Sequence, residues 1–161
     1  TTVLSSVTVT SASGGSTAGG STASPASCSE ASGWATSGLL KSTKTKIPKN
    51  YKVKIIDVPG VFEVPVTISK NIKKFDAFIA LGCVIKGETP HFDFISQTST
   101  HAIMNLSITS KKPIGNGILT CLSMKQAILR KKKGAEAATA VLSVLSQKWK
   151  QTIAQKIIQE W

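Results

Sequence analysis

The stretch FDAFIALGCVI, from Phe75 to Ile85, constrains the fold more than any other part of the chain. Apart from Asp76 it is apolar at consecutive positions, so a strand built from it has two faces to bury rather than one. It is far short of the roughly 20 apolar residues that a membrane-crossing helix needs, and no other stretch comes closer. Strands covered on both faces belong to parallel sheets packed between helices.

The neighbouring segments supply those helices and further strands. YKVKIIDV (Tyr51 to Val58) is β-branched and apolar, and Asn50 and Pro59-Gly60 bound it, which predicts a strand. VFEVPVTISKNIKK follows the Pro-Gly turn and closes on lysines, as a helix C-terminus favours. Asp93 to Ser110 places Phe94, Ile95, Thr98, Ala102, Ile103 and Leu106 near helical period. KPIGNGILTCL reads as a second buried strand with glycine gaps. SMKQAILRKK reads as a short helix that Ser123 can cap. Gly134 is expected to break that helix before a long final one begins at Ala135. Alternating strands and helices give a layered α/β domain with a parallel sheet.

The first 43 residues differ. They are mostly Ser, Thr, Gly and Ala, and GGSTAGGSTASPAS resembles a flexible linker. TVLSSVTVT is compatible with a strand, and ASGWATSGLLKS with part of a poor helix. With 161 residues the chain suits one domain spanning 1–161, in which 148–161 forms a C-terminal helical extension. The opening TTVLSSVTVT lacks the basic start and apolar core of a secretory signal. Three cysteines, Cys28, Cys83 and Cys121, without metal-ligand spacing fit a reduced, cytoplasmic protein. The net charge of +12 favours anionic partners, although a lysine-rich solvated surface is the simpler reading. Nineteen of the twenty basic residues are lysine. The lone arginine, Arg130, stands out because a planar fork is what grips carboxylate or phosphate.

In parallel α/β sheets, ligands bind outside the C-terminal ends of the strands. Four of the eight acids, Asp57, Glu63, Glu88 and Asp93, fall in or beside the loops there. In GETPHFD, Gly87 frees the backbone to approach a ligand, Thr89 offers a hydroxyl, and a loop-to-helix junction offers anion-binding N–H groups. His91 titrates near neutral pH and suits proton transfer. In VPGVFE, Phe62 and Glu63 could grip a heteroaromatic ring and a polyol arm, against the plainer reading of Phe62 as core. His101 lies inside a helical pattern and reads as structural. Cys83, late in a buried strand, reads as packing rather than as a nucleophile. No CxxC, HExxH or GxxxxGK[ST] occurs, so metal and P-loop chemistry have no support.

VPGVFEVP, LGCVIKGETPHFD, KPIGNGILT, QAILR and KGAEAA, in order from about Tyr51 to Gln147, closely resemble the 6,7-dimethyl-8-ribityllumazine synthases of riboflavin biosynthesis. The resemblance implies a flavodoxin-like α/β/α three-layer sandwich around a four-stranded parallel sheet. It implies a cofactor-free and metal-free transferase that condenses 5-amino-6-(D-ribitylamino)uracil with 3,4-dihydroxy-2-butanone 4-phosphate. It implies homopentamers, alone or assembled into larger shells, with sites between subunits, and riboflavin synthase as a candidate partner; neither nucleic acid nor membrane is implied. Carried over by position, Val61, Phe62, Glu63, Cys83, Val84 and Ile85 line the ribitylaminouracil site, with Asn116 reaching in from a neighbouring subunit. Gly87, Glu88, Thr89 and a neighbour's Arg130 hold the butanone phosphate, and His91 transfers protons.

Departures from the family pattern are also legible. Asn116 stands where many members have phenylalanine, the Arg130–Gly134 stretch is short, and the chain runs past the usual end. Residues 1–43 carry no recognisable version of the family's first strand, ring-stacking aromatic and first helix. These departures motivate a second reading, a shell-forming homologue impaired in catalysis. A third reading, a basic nucleic-acid-binding module, predicts lysines interleaved with exposed aromatics; Phe62, Phe75 and Phe78 lie in runs that read as buried.

Overall fold

A computed structural model describes residues 5–13 and 28–159, with side-chain surroundings for residues 37–146. The linker-like segment at 14–27 lies outside the described residues. In chain order the elements are β1 (Ser5–Ser13), α1 (Cys28–Lys46), β2 (Lys52–Asp57), α2 (Glu63–Asn71) and β3 (Ala77–Ile85). They continue with α3 (His91–Ser110), β4 (Ile114–Cys121), α4 (Met124–Leu129) and α5 (Lys133–Gln159). All strand pairs are parallel, in the order β2-β1-β3-β4, and β1 lies alongside β3 from Ser6↔Ala77 to Ser13↔Val84. The expected α/β class with a parallel sheet is therefore present, and the strand and helix anticipated in the atypical first third fall on β1 and α1.

The apolar run of β3 behaves as its sequence demands. Every residue from Ala77 to Val84 is buried, and the two faces feed different layers. Ile79, Leu81 and Cys83 pack with Leu39 of α1, Ala127 of α4, and Ala137, Ala138 and Val141 of α5. Phe78, Ala80 and Val84 pack with Val61, with Val64 and Ile68 of α2, and with Ile103 of α3. Strand alternation thus assigns each core side chain to one helical layer.

Helix ends and close contacts follow from particular residues. Ser123 caps α4: its Oγ accepts from the Gln126 N–H at 3.4 Å, and Gln126 Oε1 in turn accepts from the Leu122 N–H at 3.0 Å. Glutamine thus supplies the return bond of a capping box, one residue earlier than usual. Gly134 does not break a helix; it sits in the first turn of α5. A methyl group there would strike the Leu39 carbonyl and the Ser42 and Thr43 hydroxyls, so this glycine is what lets α5 touch α1. In β4, a methyl on Gly115 would lie 2.6 Å from the Ala137 carbonyl oxygen, and one on Gly117 would lie 2.6 Å from Leu81 Cδ2. Lys112 Nζ donates to the carbonyls of Ile72 at 2.7 Å and Phe75 at 2.6 Å, fastening the α2–β3 connection to the α3–β4 connection.

Candidate functional site

Helices α2 and α3 cover the same face of the sheet, and both begin at the C-terminal ends of the strands that precede them, β2 and β3. Pro59-Gly60 turns the chain into α2. Val61 drops into the core at 1% exposure, whereas Phe62 stays 58% exposed at the helix start. Glu63 is half-buried, and its carboxylate folds back over Gly60, where a methyl group would lie 2.5 Å from Oε2. This glycine therefore sets where the carboxylate can sit. No side chain caps α2.

The second loop leaves β3 at Ile85. Gly87, Glu88, Thr89 and His91 are all exposed, and space around Gly87 is open. Pro90 precedes α3 and offers no side-chain cap, so the His91 and Phe92 N–H groups, with no carbonyl behind them in the helix, face the loop. The Lys86 N–H donates to the Cys121 carbonyl at 2.9 Å, which fixes this loop beside the end of β4. Between the two clusters runs β1, whose Ser13 lies opposite Val84. With β1 between β2 and β3, the clusters stand about two strand spacings apart, roughly 10 Å. That is the span of a bicyclic ligand or of two small substrates side by side.

Three expectations need correction. Cys83 and Ile85 do not join Val84 in one wall. Their side chains enter the α1/α4/α5 layer, while Val84 alone faces α2 and α3; alternation along the strand forbids the three from facing one way. Phe62 is not a core residue, so it cannot count against an exposed aromatic. His101 is exposed on α3 rather than packed. Cys83 does fit its packing role: burial, with a smaller contribution from the Cys121 thiol, pushes its thiol up to about 11. Cys121 is also raised by burial, against the opposing pull of the Arg130 guanidinium.

Asn116 and Arg130 lie apart from the two loops. Asn116 pairs with Ala80, four residues before Val84, which places it about 13 Å down the sheet. Its Oδ1 accepts from the Ile118 N–H at 3.0 Å. Arg130 is exposed at the end of α4, and its guanidinium donates to the Gln126 carbonyl at 3.2 Å. It lines a concavity of about 530 Å³ along the open edge of β4, with Thr120, Lys132, Lys133 and Glu136. None of the loop residues from α2 or α3 lines that concavity. Leu122, Ile128 and Leu129 beside it are 48–72% exposed. Sequence reasoning gave no sign of Gly60 as the seat of a carboxylate or of this uncovered apolar rim. The Pro-Gly pair reads as an ordinary turn, and a six-residue helix is too short to show a periodic face.

Comparison with known proteins completes the picture. The profile of the 6,7-dimethyl-8-ribityllumazine synthase family matches residues 30–148, reaching back into α1, where the sequence alone showed no family motif. The chain is 40% identical over 98 residues to the 6,7-dimethyl-8-ribityllumazine synthase of Corynebacterium kroppenstedtii, a match covering 56% of this chain and 62% of that protein. It is 43% identical over 103 residues to 6,7-dimethyl-8-ribityllumazine synthase 1 of Rhodopseudomonas palustris, covering 56% and 63%. It is 42% identical over 99 residues to the Cutibacterium acnes protein of the same name, covering 57% and 60%. The chain thus spans about three fifths of the length of these relatives. With its profile matched across most of its length, the chain belongs to the 6,7-dimethyl-8-ribityllumazine synthase family.

Proposed function

We propose that this protein is a transferase of riboflavin biosynthesis that condenses 5-amino-6-(D-ribitylamino)uracil with 3,4-dihydroxy-2-butanone 4-phosphate to give 6,7-dimethyl-8-ribityllumazine. The observation that carries the proposal is the pairing of VPGVFE and GETPHFD at the starts of α2 and α3, on one sheet face, in a chain of this family. The exposed Phe62 ring and the Val84 backbone receive the pyrimidine, and Glu63 accepts from ribityl hydroxyls. Cys83 and Ile85 take part through their backbone. Gly87, Glu88, Thr89 and the uncapped N–H groups of α3 receive the phosphate, where partial positive charge favours an anion.

The 5-amino group adds to the butanone carbonyl, and loss of water gives an imine. Phosphate then leaves by elimination, with Thr89, backbone donors and an arginine stabilising its charge. His91 carries protons between these steps. Attack of the ribityl-bearing nitrogen on the remaining carbonyl closes the ring, and loss of water completes it. Holding two substrates together supplies much of the acceleration, and no cofactor is required.

The arginine is a neighbour's Arg130. Within one chain this residue looks onto the open β4 edge, and Asn116 lies far from the loops, so both serve a site completed by a second copy. The exposed Leu122, Ile128 and Leu129 give such a contact its apolar part. We accordingly assign a single flavodoxin-like domain over residues 1–161 with a four-stranded sheet, a cytoplasmic homopentamer, and riboflavin synthase as the enzyme that takes the product. The test is to mix the chain with both substrates and follow lumazine absorbance while measuring mass by light scattering. Lumazine formation by a species of at least five chains is expected. A monomer with full activity overturns the shared site, and an assembled, inactive protein favours the impaired shell-forming reading.

A further inference from the structure

The connections that lead into β2, β3 and β4 lie at the end of the sheet opposite the candidate site. They carry Lys46, Lys49 and Lys52, then Lys73 and Lys74, then Lys111, all exposed. Asp76 is the single acid among them. At the other end Lys86, Lys125, Arg130, Lys131, Lys132 and Lys133 stand with Asp57, Glu63, Glu88, Asp93 and Glu136, six cations against five acids, so net charge there is close to balanced whereas the lysine end carries six cations against one acid. The one ion pair shown among the described residues, Lys133–Glu136, is also at the far end from these lysines.

Two of the lysine-bearing connections, α2–β3 and α3–β4, are tied to one another. Lys112 is not a seventh surface cation, because its ammonium is spent on the Ile72 and Phe75 carbonyls, which flank Lys73 and Lys74. The Phe78 N–H donates to the Pro113 carbonyl at 3.0 Å, joining the same two connections again. The result is a ridge in which the backbones carrying Lys73, Lys74 and Lys111 are held together, with Lys46, Lys49 and Lys52 on the α1–β2 connection beyond β1. In the order β2-β1-β3-β4 it crosses three strand spacings, about 14 Å. Duplex DNA carries one phosphate charge per about 1.7 Å of axis, so a span of about 14 Å presents roughly eight phosphates, enough to meet six lysines. A row of cations suits a linear polyanion better than a planar bilayer. The aromatics of these connections, Tyr51 and Phe75, are partly buried, which removes the stacking platform that single strands use.

We propose that this lysine ridge is a sequence-independent docking surface for the phosphate backbone of a nucleic-acid duplex, separate from the condensation site. The experiment titrates a labelled 20-base-pair DNA duplex with the whole chain by fluorescence anisotropy, from 50 to 200 mM KCl. Log Kd is expected to rise linearly with log salt, with a slope near 5 if all six lysines meet phosphates. Lys73→Glu with Lys74→Glu is expected to weaken binding at least ten-fold at 50 mM and to lower the slope by about two. Lys49→Glu with Lys52→Glu, on a different connection, should act alike, so a folding defect in one pair does not decide the matter. Lys125→Glu with Lys131→Glu makes the same change in net charge at the opposite end and should cost less than three-fold. Equal weakening by all three pairs, no binding at 50 mM, tighter binding of a single strand, or capture by phosphatidylserine vesicles without duplex binding would each overturn the proposal.

Discussion

Lys112→Met tests whether the clamp at the base of the sheet holds the fold together. Methionine keeps most of the apolar stem and removes the ammonium, leaving the Ile72 and Phe75 carbonyls without their donor. Hydrogen bonds to a charged group are worth about 1.5–3 kcal/mol each, which sets an upper figure of about 3–6 kcal/mol for the two. Lys112 is only half-buried, so water replaces part of what is lost, and about 2 kcal/mol is the expected cost. For a chain of this size that corresponds to a fall in Tm of roughly 4–8 °C. Lys111→Met is the control: the adjacent lysine is exposed and its substitution should stay within about 0.5 kcal/mol. Both variants are compared by thermal and urea unfolding at one protein concentration, because association itself moves the midpoint. Equal midpoints for the two variants would refute the clamp.

Four other outcomes are expected. His91→Ala should slow condensation about 10- to 1,000-fold and leave both Michaelis constants within a few-fold; unchanged turnover in single-turnover kinetics removes His91 from proton transfer. Glu63→Gln should weaken the ribityl substrate by roughly ten-fold or more and spare the phosphate substrate, and equal loss for both assigns Glu63 to the fold. Arg130→Lys keeps the charge and loses the planar fork, so the Michaelis constant for the butanone phosphate should rise far more than that for the uracil; wild-type behaviour with the phosphate contradicts the fork. Cys83 stays a neutral thiol to about pH 11 in the fold, whereas unfolded cysteine ionises near 8.5. Its contribution is complete below that pH and is lost as pH rises toward 11, so the Cys83→Ala variant should lose less stability than wild type between pH 8.5 and 10.5, read from urea midpoints.

What the sequence revealed and what it withheld divide along physical lines. Phe75–Ile85 announced a doubly covered strand because each of its faces needs a cover, and β3 has both. The α3 period and the Ser123 cap were legible because they rest on neighbours within four residues. Phe62 was not, since an aromatic after a Pro-Gly turn enters the core or stands outside according to how the helix above it is set. Lys112 was invisible for a related reason: its partners lie 40 and 37 residues away. Gly134 was misread because the same residue ends helices and permits close helix contacts. Arg130 drew attention by its chemistry alone, and under the proposed shared site its separation from the loops calls for a second chain.

The two glycines of β4 carry a consequence for how this protein can change over time. Gly115 brings the β4 backbone against the Ala137 carbonyl and Val141 of α5, while Gly117 makes room for Leu81 of β3 and lies near Ala137 Cβ. At Gly115 no β4 side chain stands between the strand and the Ala137 carbonyl, so a substitution there must shift the helix against the strand. Drift is steered to the outward positions Thr139, Ala140 and Ser143, which are exposed. A mutational scan should show α5 as a strip of strict positions beside a strip of free ones, with Ala137 tolerating nothing larger than itself. Lineages that alter the seat should do so by exchanging residues on β4 and α5 together.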